Sequence, residues 1–274
     1  MLLRIGAAIV LVIAMLAIAG PVLTRSDPSA QNLPLRLEGP SLAHPFGLDE
    51  LGRDVFARML VGARISFLVG LVVVGVSSIV GTLLGAVAGY FGGWIDDVIG
   101  RATDILMAFP GLLLAIALVA VLGPSLANAL LALTVIGWVG FARLARGQVL
   151  RSREVEYVQA ARALGASTSR VLLRHVVPST IPALVVQATL GMAGAVLSEA
   201  ALSFLGLGVQ PPTPSWGAML SGGRVHLLDA PHLTVFPGLA IALLVLGFNF
   251  LGDGLRDLTD PKQRRAAVST VAQG

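Results

Sequence analysis

Six long apolar blocks alternate with polar stretches along the chain. They cover about residues 5–23, 66–90, 104–122, 126–142, 181–208 and 235–252. A helix that crosses the hydrocarbon of a bilayer needs about 20 mostly apolar residues. The blocks are continuous rather than alternating, which favours helices over a closed β-barrel. The pattern therefore predicts an all-α, polytopic membrane protein with six transmembrane helices.

The first block has two interpretations. A basic Arg4 followed by an apolar run that ends at Gly20 is typical of a cleaved signal peptide. The run is about 19 residues long, however, which is long for a signal core and right for a span. We therefore predict that the first helix is retained.

The polar stretches divide the chain into three regions. Residues 1–64 are predicted to form the first helix and an ordered extracytoplasmic loop, residues 65–258 the transmembrane core, and residues 259–274 a tail. A second outer loop, residues 210–234, is dense in proline around Pro212, and proline fixes an extended or turning path.

Small residues mark one face of the second block. Gly81, Gly85 and Gly89 recur at every fourth position. This spacing lets a neighbouring helix approach closely, so we expect a packing surface there.

Composition supports a membrane protein and excludes several kinds of chemistry. Hydrophobic residues make up 55% of the chain and charged residues only 12%, whereas soluble domains carry roughly a quarter charged residues. The chain has no cysteine, which excludes disulfides, thiolate metal sites and cysteine nucleophiles. Basic residues outnumber acidic ones by 19 to 15, and in a membrane protein this excess indicates orientation rather than nucleic-acid binding.

The distribution of basic residues predicts that orientation. With six spans and the N-terminus inside, thirteen arginines and lysines lie on one side and six on the other. Seven of the thirteen lie between Arg143 and Arg174. Because cytoplasmic loops carry an excess of basic residues, both chain ends and this Arg-rich stretch are predicted to face the cytoplasm.

The Arg-rich stretch itself predicts two short helices joined by a glycine turn. Apolar residues recur at every third position of its first half, at Val155, Val158, Ala161 and Leu164. Gly165 follows where the end of a helix favours the left-handed conformation. A hydroxyl residue at 167–169 would cap a second helix that ends near Pro178. The pattern leaves open whether this is a connector on lipid headgroups or a docking surface for a cytoplasmic protein.

The same stretch resembles the EAA signature of bacterial binding-protein-dependent ABC permeases. The residues at the signature positions are Gln159, Ala160, Ala161, Gly165, His175, Val177 and Pro178. Gln159 in place of Glu, His175 in place of Ile and Val177 in place of Leu depart from the broad pattern. The form EYVQAARALGAS…RHVVP is close to that of the dipeptide, oligopeptide and nickel branch.

Further stretches resemble the same branch in the same order. They are residues 47–58, 62–66, 104–110, 199–216 and 248–253, together with Asp257. Within the branch the chain is similar to the C-type subunit, one of two unlike permeases in each transporter.

This resemblance implies the type I ABC importer fold and a set of partners. Two cytoplasmic ABC ATPases would hold the short coupling helices, a second permease would complete the pathway, and an extracytoplasmic binding protein would deliver substrate. The chain would lie in the bacterial cytoplasmic (inner) membrane. Its coupling loop would be residues 143–180, with the contact centred on residues 160–169. The implied coupling residues are Glu156, Gln159, Ala160, Ala161, Leu164, Gly165, Ala166, Ser167, Arg174, His175 and Pro178.

The chain cannot bind ATP through a phosphate-binding loop. Such a loop needs Lys followed by Ser or Thr, and the only lysine, Lys262, is followed by Gln263. The energy must come from another chain, so we expect no cofactor here, with ATP and magnesium bound by the partner subunits.

Three polar residues near or within the spans are candidates for the translocation pathway: Asp104, Glu199 and Asn249. An ionisable residue at membrane depth is costly and therefore a functional candidate. For Glu199 a structural hydrogen bond within the bundle is the competing interpretation, and for Asp104 it is a helix cap or a pair with Arg101. Pro212 and Trp216 are candidates for docking the binding protein.

The remaining chemistry argues against an enzyme. His44, His226 and His232 are expected to be surface loop residues rather than ligands of a metal such as nickel, because they are widely spaced. Every histidine falls in a predicted loop, so Ser198 has no base at membrane depth. A stand-alone channel or carrier would not need the Arg-rich loop. We expect an importer subunit for short peptides, with nickel or another small non-peptide substrate as the alternative.

Overall fold

The computed structural model describes residues 1–24 and 27–259 of the chain. Its α-helices are α1 (Leu2–Leu23), α2 (Val55–Phe91), α3 (Gly93–Met107), α4 (Gly111–Leu122), α5 (Leu126–Ser152), α6 (Glu156–Ala163), α7 (Thr168–Val171), α8 (Val177–Phe204), α9 (Trp216–Gly223) and α10 (His232–Thr259). Short 3-10 turns cover Leu33–Leu35 and Arg224–His226, and a π-helical turn, Leu172–Val176, joins α7 to α8. The predicted all-α fold is confirmed.

Five helices of the described part are long and apolar enough to cross a membrane. They are α1, α2, α5, the continuous helix Thr168–Phe204 and α10. A sixth crossing exists only if α3 and α4 count as one span, because these two helices are bent by 85°. The predicted number of six therefore rests on a broken helix.

The third predicted span, residues 104–122, is not one straight helix. The chain is helical from Gly93, breaks after Met107 and resumes at Gly111. Pro110 lies at the break. Because proline has no N–H and disfavours the α conformation of the residue before it, it weakens the continuation of α3 and favours a break here.

Two polar stretches that were predicted as loops are helical. α2 begins at Val55, not after Arg64, and Asp54 caps it because its Oδ1 accepts a hydrogen bond from the Ala57 N–H at 2.8 Å. α5 continues to Ser152, ten residues past its apolar block. The 37 residues of α2 would span about 55 Å, well beyond the roughly 30 Å of hydrocarbon, so the helix extends beyond the lipid core.

The helices share two ends, which we name by the short helices found there. At the α6 end, the last turns of α2 and α5 meet where Gly89 faces Val149, and the start of α1 packs on the end of α10 through Leu3 and Gly254. At the α9 end, Trp216 contacts the first turns of α2. Both termini of the described chain therefore lie at the α6 end. The predicted tail, 259–274, lies outside the described residues apart from Thr259.

The glycine face of α2 packs against α5, as the sequence predicts. A Cβ atom on Gly89 would lie 2.8 Å from the Arg146 carbonyl oxygen and 3.2 Å from the Val149 Cβ. Gly81 and Gly85 are as tightly opposed by the backbone of α5. The absence of side chains here lets the two helix backbones touch.

Candidate functional site

The helix α6 ends in a Schellman turn centred on Gly165. The Gly165 N–H donates to the Arg162 carbonyl at 2.9 Å, and the Ala166 N–H donates to the Ala161 carbonyl at 3.1 Å. Gly165 has a φ of +81°, a conformation that glycine adopts without steric cost. The predicted left-handed glycine turn is therefore confirmed, and it separates α6 from α7.

A small apolar cluster holds α6 and α7 against the end of the bundle. Its fully buried members are Val149, Val158, Val171 and Val176. Two arginines add polar contacts, since Arg153 donates to the Gly89 carbonyl at 3.1 Å and Arg162 lies 5.1 Å above the ring of Tyr90. These anchoring contacts fix the position of α6 relative to α2 and α5.

The outer surface of α6 is exposed and mainly small or apolar. Leu164 is 89% exposed at the tip of the turn. Its exposed neighbours include Glu156, Gln159, Ala160 and Ser167, while Ala161 and Ala166 are half-buried. The predicted stripe from Val155 to Leu164 does not face one way, because Val158 is buried whereas Val155 and Leu164 are exposed. The prediction of a single apolar stripe is wrong because α6 is short, so that Leu164 lies in the turn after the helix.

The second helix of this region does not end near Pro178. α7 continues through the π-turn into α8, so Pro178 lies in the first turn of a span. The Val177 N–H donates to the Leu172 carbonyl, five residues earlier, and such a widened turn accommodates a proline that has no N–H to donate. Arg174 is exposed, and the carbonyl of half-buried His175 accepts a hydrogen bond from the Tyr157 hydroxyl at 3.4 Å.

Two ion pairs connect α3 to α5 near the α6 end. Asp104 forms an ion pair with Arg143, whereas the structural interpretations considered from the sequence were a helix cap or a pair with Arg101. One turn of α5 further on, the Nε and terminal nitrogen of Arg146 each lie 2.5 Å from a carboxylate oxygen of Asp96. The Arg143 and Asp104 side chains are both about half exposed or more. Asp104 thus belongs to a partly solvated cleft between two helices.

Glu199 is fully buried in α8 near the α9 end. Its Oε1 accepts a hydrogen bond from the Ser203 hydroxyl at 2.6 Å, and Ser203 in turn accepts from the Val209 N–H at 3.2 Å. Within the described part of the chain, Oε2 has no hydrogen-bond partner. This arrangement links the helix to the loop that follows it, which is the structural interpretation weighed for Glu199.

A cavity of about 240 Å³ lies between α2, α4, α5 and α8. Its polar lining residues are Ser77, Gln187 and Ser198, and glycines 111, 137, 191 and 194 also line it. None of these residues was predicted from the sequence as a site, although Gln187, Gly191, Gly194 and Ser198 recur on one face of α8. Two of the predicted pathway residues lie elsewhere. Glu199 directly follows Ser198, which lines the cavity, and half-buried Asn249 lies on α10.

At the α9 end, one of the two predicted docking residues is buried inside the protein. Trp216 is only 2% exposed, and its indole N–H donates to the Met59 carbonyl at 2.9 Å. It is an internal packing residue because α9, which the sequence pattern did not predict, turns the indole onto α2. Pro212 is exposed in the preceding loop, so the docking prediction is retained for Pro212 alone.

The histidines depart from the predicted surface loop positions to different extents. His232 begins α10 and is buried, with Nε2 at 3.2 Å from the Leu48 carbonyl oxygen. His44 is half-buried, with Nδ1 at 2.7 Å from Asp54, and His226 is also half-buried. His175 lies in the π-turn rather than in a loop. Over residues 1–24 and 27–259, no group of three or more His, Asp or Glu side chains is arranged to hold a metal ion.

Comparison with solved structures supports the fold. The methionine ABC transporter MetNI, in inward-facing conformations, contains a chain that superposes with a TM-score of 0.58 at 19% identity. The superposition covers 73% of this chain and 95% of that one. The likeness concerns the arrangement of helices.

Sequence comparison reaches closer relatives and a family. The dipeptide transport system permease protein DppC of Alkalihalophilus pseudofirmus is 48% identical over 260 residues, 95% of this chain and 86% of that protein. The glutathione transport system permease protein GsiD of Escherichia coli is 53% identical over 224 residues, 82% of this chain and 74% of that protein. Residues 81–265 match the family described as binding-protein-dependent transport system inner membrane component. With more than half its length in that match, the chain belongs to this family of inner membrane permease components.

Proposed function

We propose that this chain is the permease subunit of an ATP-driven importer for short peptides and that α6 is its contact with a cytoplasmic ATPase. The observation that carries the proposal is the exposed Leu164 at the tip of a helix that is otherwise anchored to the bundle. An 89% exposed leucine beside small side chains is suited to burial in a groove of a partner. The anchoring contacts would carry motion of α6 to α2 and α5.

The rest of the assembly follows from the family and from the distribution of charge. The α6 end would face the cytoplasm because the Arg-rich segment from Arg143 to Arg174 lies there. A second, unlike permease would complete the pathway, two ATPase subunits would bind ATP and magnesium, and an extracytoplasmic binding protein would dock near Pro212. The coupling residues named from the sequence signature remain part of this proposal.

Peptide cargo is supported by the relatives, whose names concern dipeptides and glutathione. The substrate can be identified with proteoliposomes that contain the whole transporter and its binding protein. ATP-dependent uptake of a radiolabelled dipeptide or of glutathione would support the proposal. Uptake of Ni²⁺ with neither peptide taken up would overturn the peptide assignment and leave the transporter assignment intact.

The ATPase contact is tested by Leu164→Asp in the complete transporter. Loss of one buried leucine costs about 2 kcal/mol, which weakens binding roughly thirty-fold. We expect much less ATPase to co-purify with this variant, while its insertion into the membrane is unchanged. Leu228→Asp is the matched control, because Leu228 is 97% exposed at the α9 end. Equal co-purification of the two variants would contradict the assignment.

A further inference from the structure

We propose that one face of α8, formed by Gln187, Gly191, Gly194 and Ser198, is the wall that this chain contributes to the substrate passage, where it binds main-chain amide groups of a peptide. This inference rests on the proposed transport function and adds to it the residues and the recognised chemical group. It does not depend on the proposed ATPase contact at Leu164.

The four residues form a continuous row. Successive members are separated by four, three and four positions, the spacing of one helix face. The row is about 16 Å long from Gln187 to Ser198. All four line the cavity between α2, α4, α5 and α8. None of the described residues that line this cavity is charged.

The polar members of the row lack partners in this chain. The other hydroxyl groups of α8 have partners on the same continuous helix, as Thr189 has in the Val185 carbonyl at 2.9 Å and Thr180 in the Val177 carbonyl at 2.7 Å. By contrast, the Gln187 amide and the Ser198 hydroxyl make no hydrogen bond with any residue that the structure describes. An unsatisfied polar group at membrane depth costs several kcal/mol, so these two require water, a ligand or another chain.

Gly194 indicates that the row faces open space. A Cβ atom added there would meet nothing within 4 Å, unlike the tightly opposed glycines of α2. A glycine inside a helix costs about 0.5–1 kcal/mol relative to alanine, and packing within this chain does not require it. We infer that the space beside Gly194 is used by something that approaches from outside the chain.

The chemistry of the row fits a peptide main chain. The amide of Gln187 has both a donor and an acceptor, as each peptide group has, so one side chain can pair with both atoms of a passing amide. A serine hydroxyl can likewise donate or accept. Without a charged lining residue, the row would not discriminate between acidic and basic side chains of the cargo.

Because the chain contains no cysteine, single-cysteine variants can test whether the row is wet. Gln187→Cys and Ser198→Cys are placed in the complete transporter and exposed to a membrane-impermeant methanethiosulfonate during ATP turnover. We expect both to be labelled on this chain. Thr189→Cys, two positions after Gln187 but not among the residues that line the cavity, should be labelled at least ten-fold more slowly. Equal labelling of all three, or none, would overturn the proposal, since the latter means a dry contact with the second permease.

Uptake by Gln187→Leu tests the binding role. With alanylalanine as the probe, we expect the uptake rate to fall about ten-fold, while ATPase co-purification and delivery by the binding protein are unchanged. Thr189→Val is the control and should transport normally. Normal uptake by Gln187→Leu would overturn the role of the amide. Failure of the native chain to retain its ATPases would instead contradict the proposed function.

Discussion

At the scale of single residues, Arg64 compensates for a proline in α1. Pro21 has no N–H, so the carbonyl of Ala17, four residues earlier, lacks its helical donor. The Arg64 Nε donates to this carbonyl at 2.5 Å, and a terminal nitrogen donates to the Ile18 carbonyl at 2.9 Å. An unsatisfied carbonyl within a membrane is costly. The hydrogen bonds from Arg64 therefore stabilise the contact between α2 and α1 at the carbonyl that lacks its donor because of Pro21.

A double-mutant cycle can measure this compensation. We expect Arg64→Met to lower the free energy of unfolding by about 1–3 kcal/mol, because it removes a donor from a carbonyl that Pro21 deprives of its i+4 helical donor. Pro21→Ala restores an N–H, so the arginine substitution should cost clearly less in that background. Thermal unfolding in detergent provides the measurement. An equal cost in both backgrounds would show that Arg64 does not act through the Ala17 carbonyl.

At the scale of elements, the limits of helices differ most from the sequence prediction. Hydropathy reports which residues meet lipid, whereas a helix continues as long as its backbone bonds are satisfied. α5 therefore runs through Arg143 and Arg146 to Ser152 although its last ten residues include three arginines. The Gly165 turn was predictable because glycine chemistry is local. The proline at position 110 is also a local signal for a break. The 85° angle between α3 and α4 has no such signal, because it depends on what α3 packs against.

The ion pairs to α5 should hold α3 in this bent position. We expect Arg146→Ala to raise the amide hydrogen-exchange rate of residues 93–107 several-fold and to leave α4 unchanged, because the two-point contact with Asp96 is lost. The charge-reversed pair Asp96→Arg with Arg146→Asp should restore much of the protection. Arg101→Ala is the control, since Arg101 forms no ion pair with the residues described. Equal effects of the two alanine variants would show that the ion pair between Asp96 and Arg146 does not hold α3 against α5.

At the scale of the whole molecule, the chain is a multi-pass inner-membrane component and not itself a catalyst, in keeping with its family. Its described termini lie at the same end as α6, and the basic residues predict that this end is cytoplasmic. Three of the basic residues predicted to face the cytoplasm lie outside the described residues: Lys262, Arg264 and Arg265. Within the described residues, the predicted orientation depends mainly on the arginines between Arg143 and Arg174.

Labelling of cysteine variants in spheroplasts can test this orientation. We expect an impermeant maleimide to modify Leu42→Cys and Leu228→Cys directly, because both residues are fully or almost fully exposed on the α9 side. Leu164→Cys, exposed on the α6 side, should react only after the membrane is permeabilised. The reverse pattern would contradict the predicted orientation of the whole bundle.

The sequence by itself determined the all-α membrane class, the close packing of Gly81, Gly85 and Gly89, and the turn at Gly165. These properties depend on hydropathy, side-chain size and backbone freedom, which are local. It also marked the region around Arg143–Pro178 as a single unit, although tertiary structure moved its limits. Only the tertiary structure decided that Trp216 and His232 are buried, and that Asp104 pairs with Arg143. Such outcomes depend on which distant helix arrives beside each side chain, and no local pattern encodes that.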